Sequence, residues 1–335
     1  MSQRFSVILA TRDRPALFAE ALESVLAQRY TDYEIIVVND GSNAEHLAAY
    51  HTIWNAAAER LGGRFQALSL IHRPKGHGQS YSLNFGASHA KGEYLCFLDD
   101  DDKWTDPGHL ERAGQIIDSA QAVTKPLDLY MTNQTAWSVD GKKVGTLWLG
   151  KLAEMLAERG QEASAFGSYT VGVEELMATS GFCHLNCLIV RRTLYEQTGG
   201  MDEGIRWECD RDIYLRLIDQ AQHIQHHPAV VSYHRVPDPA KSANMTTALG
   251  MVEKRLLQVT VLDKAVTRAH HPQIRAHARR HKAYALQKIA TEFAAVKDWT
   301  TASHYALQAL GIAPSPSWMI FTLRCALKRA INRTP

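Results

Sequence analysis

Two short apolar, β-branched runs near the start, Phe5 to Ala10 (FSVILA) and Glu34 to Asn39 (EIIVVN), flank a helical stripe, and this alternation restricts the fold most. Runs of this kind belong in strands covered on both faces, as in a parallel sheet. Between them Pro15 opens a helix that places Leu17, Phe18, Ala21, Leu22, Val25 and Leu26 on one side. The same reading predicts a third strand near Phe65 to Ile71, a helix from about Gln79 to Ala90, and a strand from Glu93 to Leu98. Strands and helices in alternation build right-handed βαβ units and a doubly wound α/β sheet. Ligands of such sheets sit at the carboxyl ends of the strands.

Two acidic sites fall at those ends: Asp40 after the second strand, and Asp99-Asp100-Asp101-Asp102 after the fourth. Four adjacent carboxylates repel one another unless something positive sits among them. A hard divalent cation, Mg²⁺ or Mn²⁺, takes oxygen ligands of this type and shares its remaining positions with phosphates. The run alone equally fits a solvated acidic turn capping a helix that begins near Pro107.

The chain has 335 residues, 45% hydrophobic and 21% charged, which is room for one large domain with an appendage or for two domains. Five cysteines at irregular spacing fit a reducing compartment, the start carries no secretory pattern, and no apolar run is long enough to span a bilayer. A cytoplasmic protein is expected. Residues 251–335 hold 14 Lys and Arg against 4 Asp and Glu, a net of +10, whereas residues 1–250 carry a net of −8. An acidic body over 1–240 and a basic, helix-favouring unit over 241–335 are therefore expected.

Further along, Asp140-Gly141 between Thr135–Val139 and Lys142–Leu147 reads as a hairpin turn. Residues 150–180 read as a short helix and an irregular loop, and Asn186 to Val190 as one more core strand. Cys183, His184 and Cys187 have no second pair at zinc-ligand spacing. Gly76-His77-Gly78-Gln79-Ser80 lacks the lysine of a phosphate-binding loop and reads as the opening turn of a helix. His277 and His281, beside Arg275, Arg279 and Arg280, read as a solvated helix face.

Taken together, the N-terminal motifs resemble a family 2 glycosyltransferase of the GT-A fold. The pieces that match are Val7 to Arg14, Ser24 to Gln28, Tyr33 to Ser42, Asn84 to Ala87, Gly92 to Asp102, Gly199 to Glu203 and Cys209 to Leu217. The resemblance covers roughly the first 240 residues and lies in order and spacing. It implies a Rossmann-like, doubly wound mixed sheet, a nucleotide-diphospho-sugar donor, typically UDP-linked, and a divalent metal, Mn or Mg.

Residue by residue, the resemblance makes Asp40 an acceptor for the donor's base, with Thr11 and Arg12 lining the same pocket. Asp101 would hold the metal, with Asp99 as a second metal or ribose contact and Asp100 as a further ribose contact; Asp102 would cap the following turn. Asp210 takes the position of the base that deprotonates an acceptor hydroxyl, with Glu208, one residue early, as the alternative. Asp212 and Arg216 fix that alignment. His184 would face the acceptor or leaving phosphate, and Arg235 and Lys241 would lie on a loop closing over the diphosphate.

The tail from Ser315 to Arg333, SPSWMIFTLRCALKRAINR, alternates apolar and basic residues in a helical pattern. It reads either as an amphipathic helix on an anionic membrane or as a helix packed on the protein with its basic face in water. Nucleic acid is not an expected partner, because no binding module accompanies the basic residues. The expected function is inverting sugar transfer to a glycan or lipid-linked acceptor in surface polysaccharide synthesis. A non-catalytic nucleotide-sugar-binding module and a sugar-phosphate nucleotidyltransferase are the competing readings; the latter would carry a glycine-rich loop after the first strand, where this chain has Ala10-Thr11-Arg12-Asp13-Arg14-Pro15.

Overall fold

The structure, a computed structural model, describes residues 3–123, 126–138, 140–179, 181–236 and 249–332. The chain divides into two compact units: Met1–Arg206 with Arg216–Asp238, and Trp207–Leu215 with Pro239–Pro335.

The first unit is built on one mixed sheet. Its leading half alternates β1 (Phe5–Thr11), α1 (Pro15–Leu26), β2 (Tyr33–Asn39), α2 (Ala44–Leu61), β3 (Phe65–Ser69), α3 (Gln79–Ser88) and β4 (Tyr94–Phe97). Then follow β5 (Lys103–Trp104), α4 (His109–Val123), β6 (Leu129–Trp137), β7 (Lys143–Leu147), α5 (Leu152–Glu158), β8 (Tyr169–Val171), α6 (Val173–Ala178), β9 (Leu188–Arg191) and α7 (Arg192–Gln197). After α8 (Cys209–Gln220), the long strand β10 (Ile224–Arg235) completes the sheet.

The strand order is β3-β2-β1-β4-β9-β6-β10-β5, with β7 paired to β6 and β8 to β10. Strands β3, β2, β1 and β4 run parallel, and β9 is antiparallel to both β4 and β6. From β1 the chain passes outward to β2 and β3, then returns to lay β4 on the other side of β1. That reversal opens a crevice at the carboxyl ends of β1 and β4. Register sets its rim: Thr11 stands beside Asn39, and the Leu98 amide donates to the Ile8 carbonyl at 3.1 Å.

Apolar burial explains why these segments take this form. Phe5, Val7, Ile8 and Leu9 of β1 are fully buried, as are Ile35 to Val38 of β2, on both sheet faces. Each such side chain contributes roughly 1.5–3 kcal/mol on leaving water. Helix α1 buries Phe18, Ala21, Leu22 and Val25, a narrower version of its predicted stripe. Helix α3 lies so close to the sheet that a Cβ on Gly86 would stand 2.6 Å from Ile8 Cγ2.

Residues 207–215 and the C-terminal helices make the second unit: α9 (Met251–Arg268), α10 (Pro272–Ala295), α11 (Trp299–Ile312) and α12 (Pro316–Ile331). Its core is Val261, Leu262, Ile274, Ala278, Leu286 and Ile289 with the small residues Ala302, Ala306 and Ala309. His277 is buried there and stacks on His281 at 4.2 Å. This corrects the expectation of a solvated histidine face: the pair sits where α10 packs inward. No described helix is long and apolar enough to cross a membrane.

Candidate active site

The crevice is built from the tips of β1, β2 and β4 and closed by segments from the later half of the sheet. Thr11, the last residue of β1, is buried, and its hydroxyl is 2.7 Å both from Asp100 Oδ2 and from the Tyr50 hydroxyl. Arg12 reaches across the rim, donating to the Arg73 carbonyl at 2.8 Å and the Pro74 carbonyl at 3.3 Å. Asp40, one residue past β2, accepts from the His77 amide at 2.8 Å, His77 Nδ1 at 2.9 Å and the Gly78 amide at 3.0 Å. It thus clasps the turn that opens α3. Gly76 in that turn has φ +64°, and a Cβ there would lie 2.5 Å from Asp40 Oδ2. Only glycine fits so close an approach in the left-handed region.

The four aspartates diverge. Asp99 accepts from Gln79 Nε2 at 2.7 Å, and its other oxygen is 3.7 Å from His184 Nε2. Asp100 is 2% exposed and turns inward to Thr11 and the Arg14 guanidinium. Asp101 accepts from Arg14 Nη1 at 2.8 Å. Asp102, also 2% exposed, accepts from Asn186 Nδ2 at 2.6 Å, His234 Nδ1 at 2.8 Å and the Arg235 amide at 2.7 Å. Asp102 therefore does not cap the turn after it. It is an internal anchor joining the acidic loop to β10 and to the turn before β9.

Arg14 supplies the positive charge that four neighbouring acids require. Burial alone would lower its pKa, but Asp100, Asp101 and Asp99 outweigh that and raise it. Burial pushes the Asp100 carboxyl up to about 6, against the pull of Arg14 and the Thr11 hydrogen bond. Nothing in the sequence reading selected Arg14. The available signal was position: Arg14 follows β1 by three residues, at the same end of the sheet as the four acids.

One carboxylate oxygen each from Asp99, Asp101 and Asp102 lies within 4.8 Å of the others. Among the described residues this is the one group of three or more acids, histidines or cysteines placed to hold a metal. An all-oxygen set suits a hard cation. Asp102 spends its oxygens on Asn186, His234 and Arg235, and Asp99 and Asp101 are the more exposed side chains of the three, at 21% and 22%.

His184 completes one wall. Its Nδ1 accepts from the Asn186 amide at 3.3 Å, so its Nε2 carries the proton that faces Asp99. Its ring stacks on Trp148 at 4.9 Å with planes 5° apart, and His234 lies 5.6 Å away. Trp148 has φ +67°, a conformation that a bulky residue adopts only when its surroundings enforce it. Arg235 Nε donates to the Asp101 carbonyl at 3.1 Å and its Nη2 to Glu20 at 3.1 Å, bracing the acidic loop from behind. Lys241 lies outside the described residues.

The remaining carboxylates belong to the second unit. Asp210 is half-buried in the first turn of α8. Glu208, just before that helix, has φ +62°, pairs with Arg211 and accepts from Gln258 Nε2 at 3.1 Å. Asp212 is buried and pairs with Lys264 at 2.8 Å. Glu208 is thus tied to Arg211 and Gln258, and Asp210 sits in a helix opening that favours negative charge.

The family description Glycosyl transferase family 2 matches residues 6–196, which include the crevice strands, the acidic loop and His184. The chain is a family 2 glycosyltransferase. Among curated relatives of this glycosyltransferase, Bacillus subtilis YwdF, an uncharacterized glycosyltransferase, is 25% identical over 213 residues, 64% of this chain and 67% of the relative. The Myxococcus xanthus O-antigen biosynthesis protein RfbC is 26% identical over 220 residues, 65% of this chain and 16% of the relative. The chain thus spans only about a sixth of RfbC.

Solved structures share the fold. S. aureus TarS 1-349 in complex with UDP-GlcNAc superimposes with a TM-score of 0.64 at 16% identity, covering 93% of this chain and 82% of that one. The mannosyltransferase PcManGT from Pyrobaculum calidifontis, in complex with GDP-Man and Mn2+, gives 0.57 at 17% identity over 98% and 86%. These likenesses establish the GT-A architecture of this glycosyltransferase.

Proposed function

We propose that the chain transfers a sugar, with inversion, from a nucleotide-diphospho donor, UDP-linked, to a hydroxyl of a glycan or lipid-linked acceptor. The observation that carries this reading is the partly exposed pair Asp99 and Asp101, at the carboxyl end of β4 in a loop whose other two aspartates are buried. Asp101 and Asp99 would hold a divalent metal, Mn or Mg. When bound, such an ion neutralises charge on the leaving diphosphate.

The chain's own residues account for the rest. Asp40 and Arg12 fix the turn around Gly76, shaping the wall against which the base lies. Thr11 and Asp100 stiffen the floor beneath them. The Nε2–H of His184 points into the same space and is suited to a phosphate or acceptor oxygen. Asp210 takes the acceptor proton as the hydroxyl oxygen bonds to the anomeric carbon; the bond from that carbon to the diphosphate oxygen breaks, and its electron pair leaves with the nucleotide. A binding module without turnover has no use for Asp210 beyond a helix terminus, and a nucleotidyltransferase would want glycines where Thr11 to Pro15 stand. The names of RfbC and TarS support a surface-glycan acceptor and a UDP-sugar donor.

A thermal-shift panel of UDP-, GDP- and dTDP-sugars with and without Mn²⁺ tests this reading, since ligands of the folded state raise the unfolding temperature. A metal-dependent rise with one nucleotide class, lost in Asp101→Asn, is expected. No rise with any nucleotide sugar in the presence of Mn²⁺ or Mg²⁺ would overturn the proposal.

A further inference from the structure

Helix α12 packs with one face and leaves a second apolar face open. The packed face is Trp318, Thr322 and Cys325, spaced four and three residues apart; Thr322 and Cys325 are buried, and Trp318 Nε1 donates to the Ala306 carbonyl at 3.0 Å. Ile320, Leu323, Leu327 and Ile331 recur at the same helical spacing on the other side and are 68%, 67%, 62% and 56% exposed. Met319 adds to them at 49%. Single exposed apolar residues are ordinary, but a row of five along four turns of one helix marks an interaction surface.

The charge around this row selects its partner. Arg324 and Lys328 are exposed beside it, and Arg329 lies nearer the packed side. From residue 299 to the end of the chain there is no Asp or Glu at all. A second copy of the helix would meet these cations without a compensating acid on this segment. An anionic bilayer offers both an apolar phase for the row and negative headgroups for the flanking cations. The geometry points to α12 as a peripheral membrane-docking helix that lies flat on an anionic lipid surface, its apolar row sunk to the acyl boundary.

The test is co-sedimentation of the full chain with vesicles of phosphatidylcholine alone or with phosphatidylglycerol added. Binding to the anionic vesicles is expected, with partitioning falling at least about tenfold in Leu323→Glu/Leu327→Glu, because the row no longer enters the membrane. Both positions are solvent-exposed, so the unfolding temperature of this variant should match the parent. A second variant, Arg324→Gln/Lys328→Gln, should keep the apolar row and lose the preference for anionic over neutral vesicles, as should the parent protein in high salt. Absence of binding to anionic vesicles would overturn the proposal. So would a concentration-dependent dimer in sedimentation that Leu323→Glu/Leu327→Glu dissolves, since the row would then be covered by a second copy.

Discussion

Arg14 shows how one side chain can make a cluster of acids foldable. It stands between Asp100 and Asp101, and Asp100 has almost no contact with water. Replacing Arg14 by Gln should therefore cost about 2 kcal/mol of stability at pH 7.5, since a buried carboxylate would lose its countercharge. Near pH 5 the cost should shrink, because Asp100, already raised to about 6, is then protonated and no longer needs the cation. Urea midpoints at the two pH values measure both. At the proposed base, Asp210→Asn should keep nucleotide binding and lower transfer by about 10²–10⁴-fold, whereas Glu208→Gln should mainly destabilise. Nucleotide release assays beside thermal shifts separate the two outcomes; unchanged turnover in Asp210→Asn would remove it from that role. The positions of Asp40 and the aspartate run at the strand ends were legible because the apolar runs before them mark where β2 and β4 stop. Asp102's tether to Asn186 and His234 was not, since each partner lies more than eighty positions away and only the folded sheet brings them together.

Helices and strands were readable where packing and local pattern agree. β1, β2 and β4 are unbroken apolar runs because both of their faces are covered. β10 carries no clear strand pattern in sequence, because His226, His227 and Pro228 interrupt its alternation at the point where its register with β6 shifts. Helix α2 is likewise faint in sequence: it buries only Tyr50, Trp54 and Ala57 among eighteen residues, too few for a clear stripe. The hairpin at Asp140-Gly141 is present as β6 and β7, with Gly141 at φ +76°. The proximity of α3 to the sheet makes a sharper element-level prediction. Gly86→Ala would ordinarily favour a helix, yet its Cβ would press on Ile8 and Val38, both buried. A net loss of about 1–3 kcal/mol is expected, read as a lower urea midpoint at unchanged slope.

Across the molecule, acid sensitivity should come from buried histidines. Burial drives His109 down to about 3 and His226 and His227 to about 4, from an ordinary 6.5. The unfolded chain takes up these protons near pH 6.5, while the folded chain keeps the rings neutral to about 4 and below. Stability is thus complete above about pH 6.5 and falls as the pH drops toward 4, by about 1.4 kcal/mol per pH unit for His109 alone. His226 adds to this, and the half-exposed His227 adds less. Chemical denaturation at pH 7.5, 6 and 5 should show the decline, and His109→Phe, which preserves the ring contacts with Trp104 and Tyr130, should flatten it. Composition announced the basic helical tail, but not that α8 belongs to both units, its first half grouping with the C-terminal helices and its second half with the sheet. Lys264 holds Asp212, and Gln258 holds Glu208, from α9. Evolution or an engineer shuffling tails between such enzymes therefore cannot simply cut near residue 240: a chimera that trades the helical unit has to splice inside α8 and carry residues 207–215 along, or it keeps a buried aspartate without its lysine.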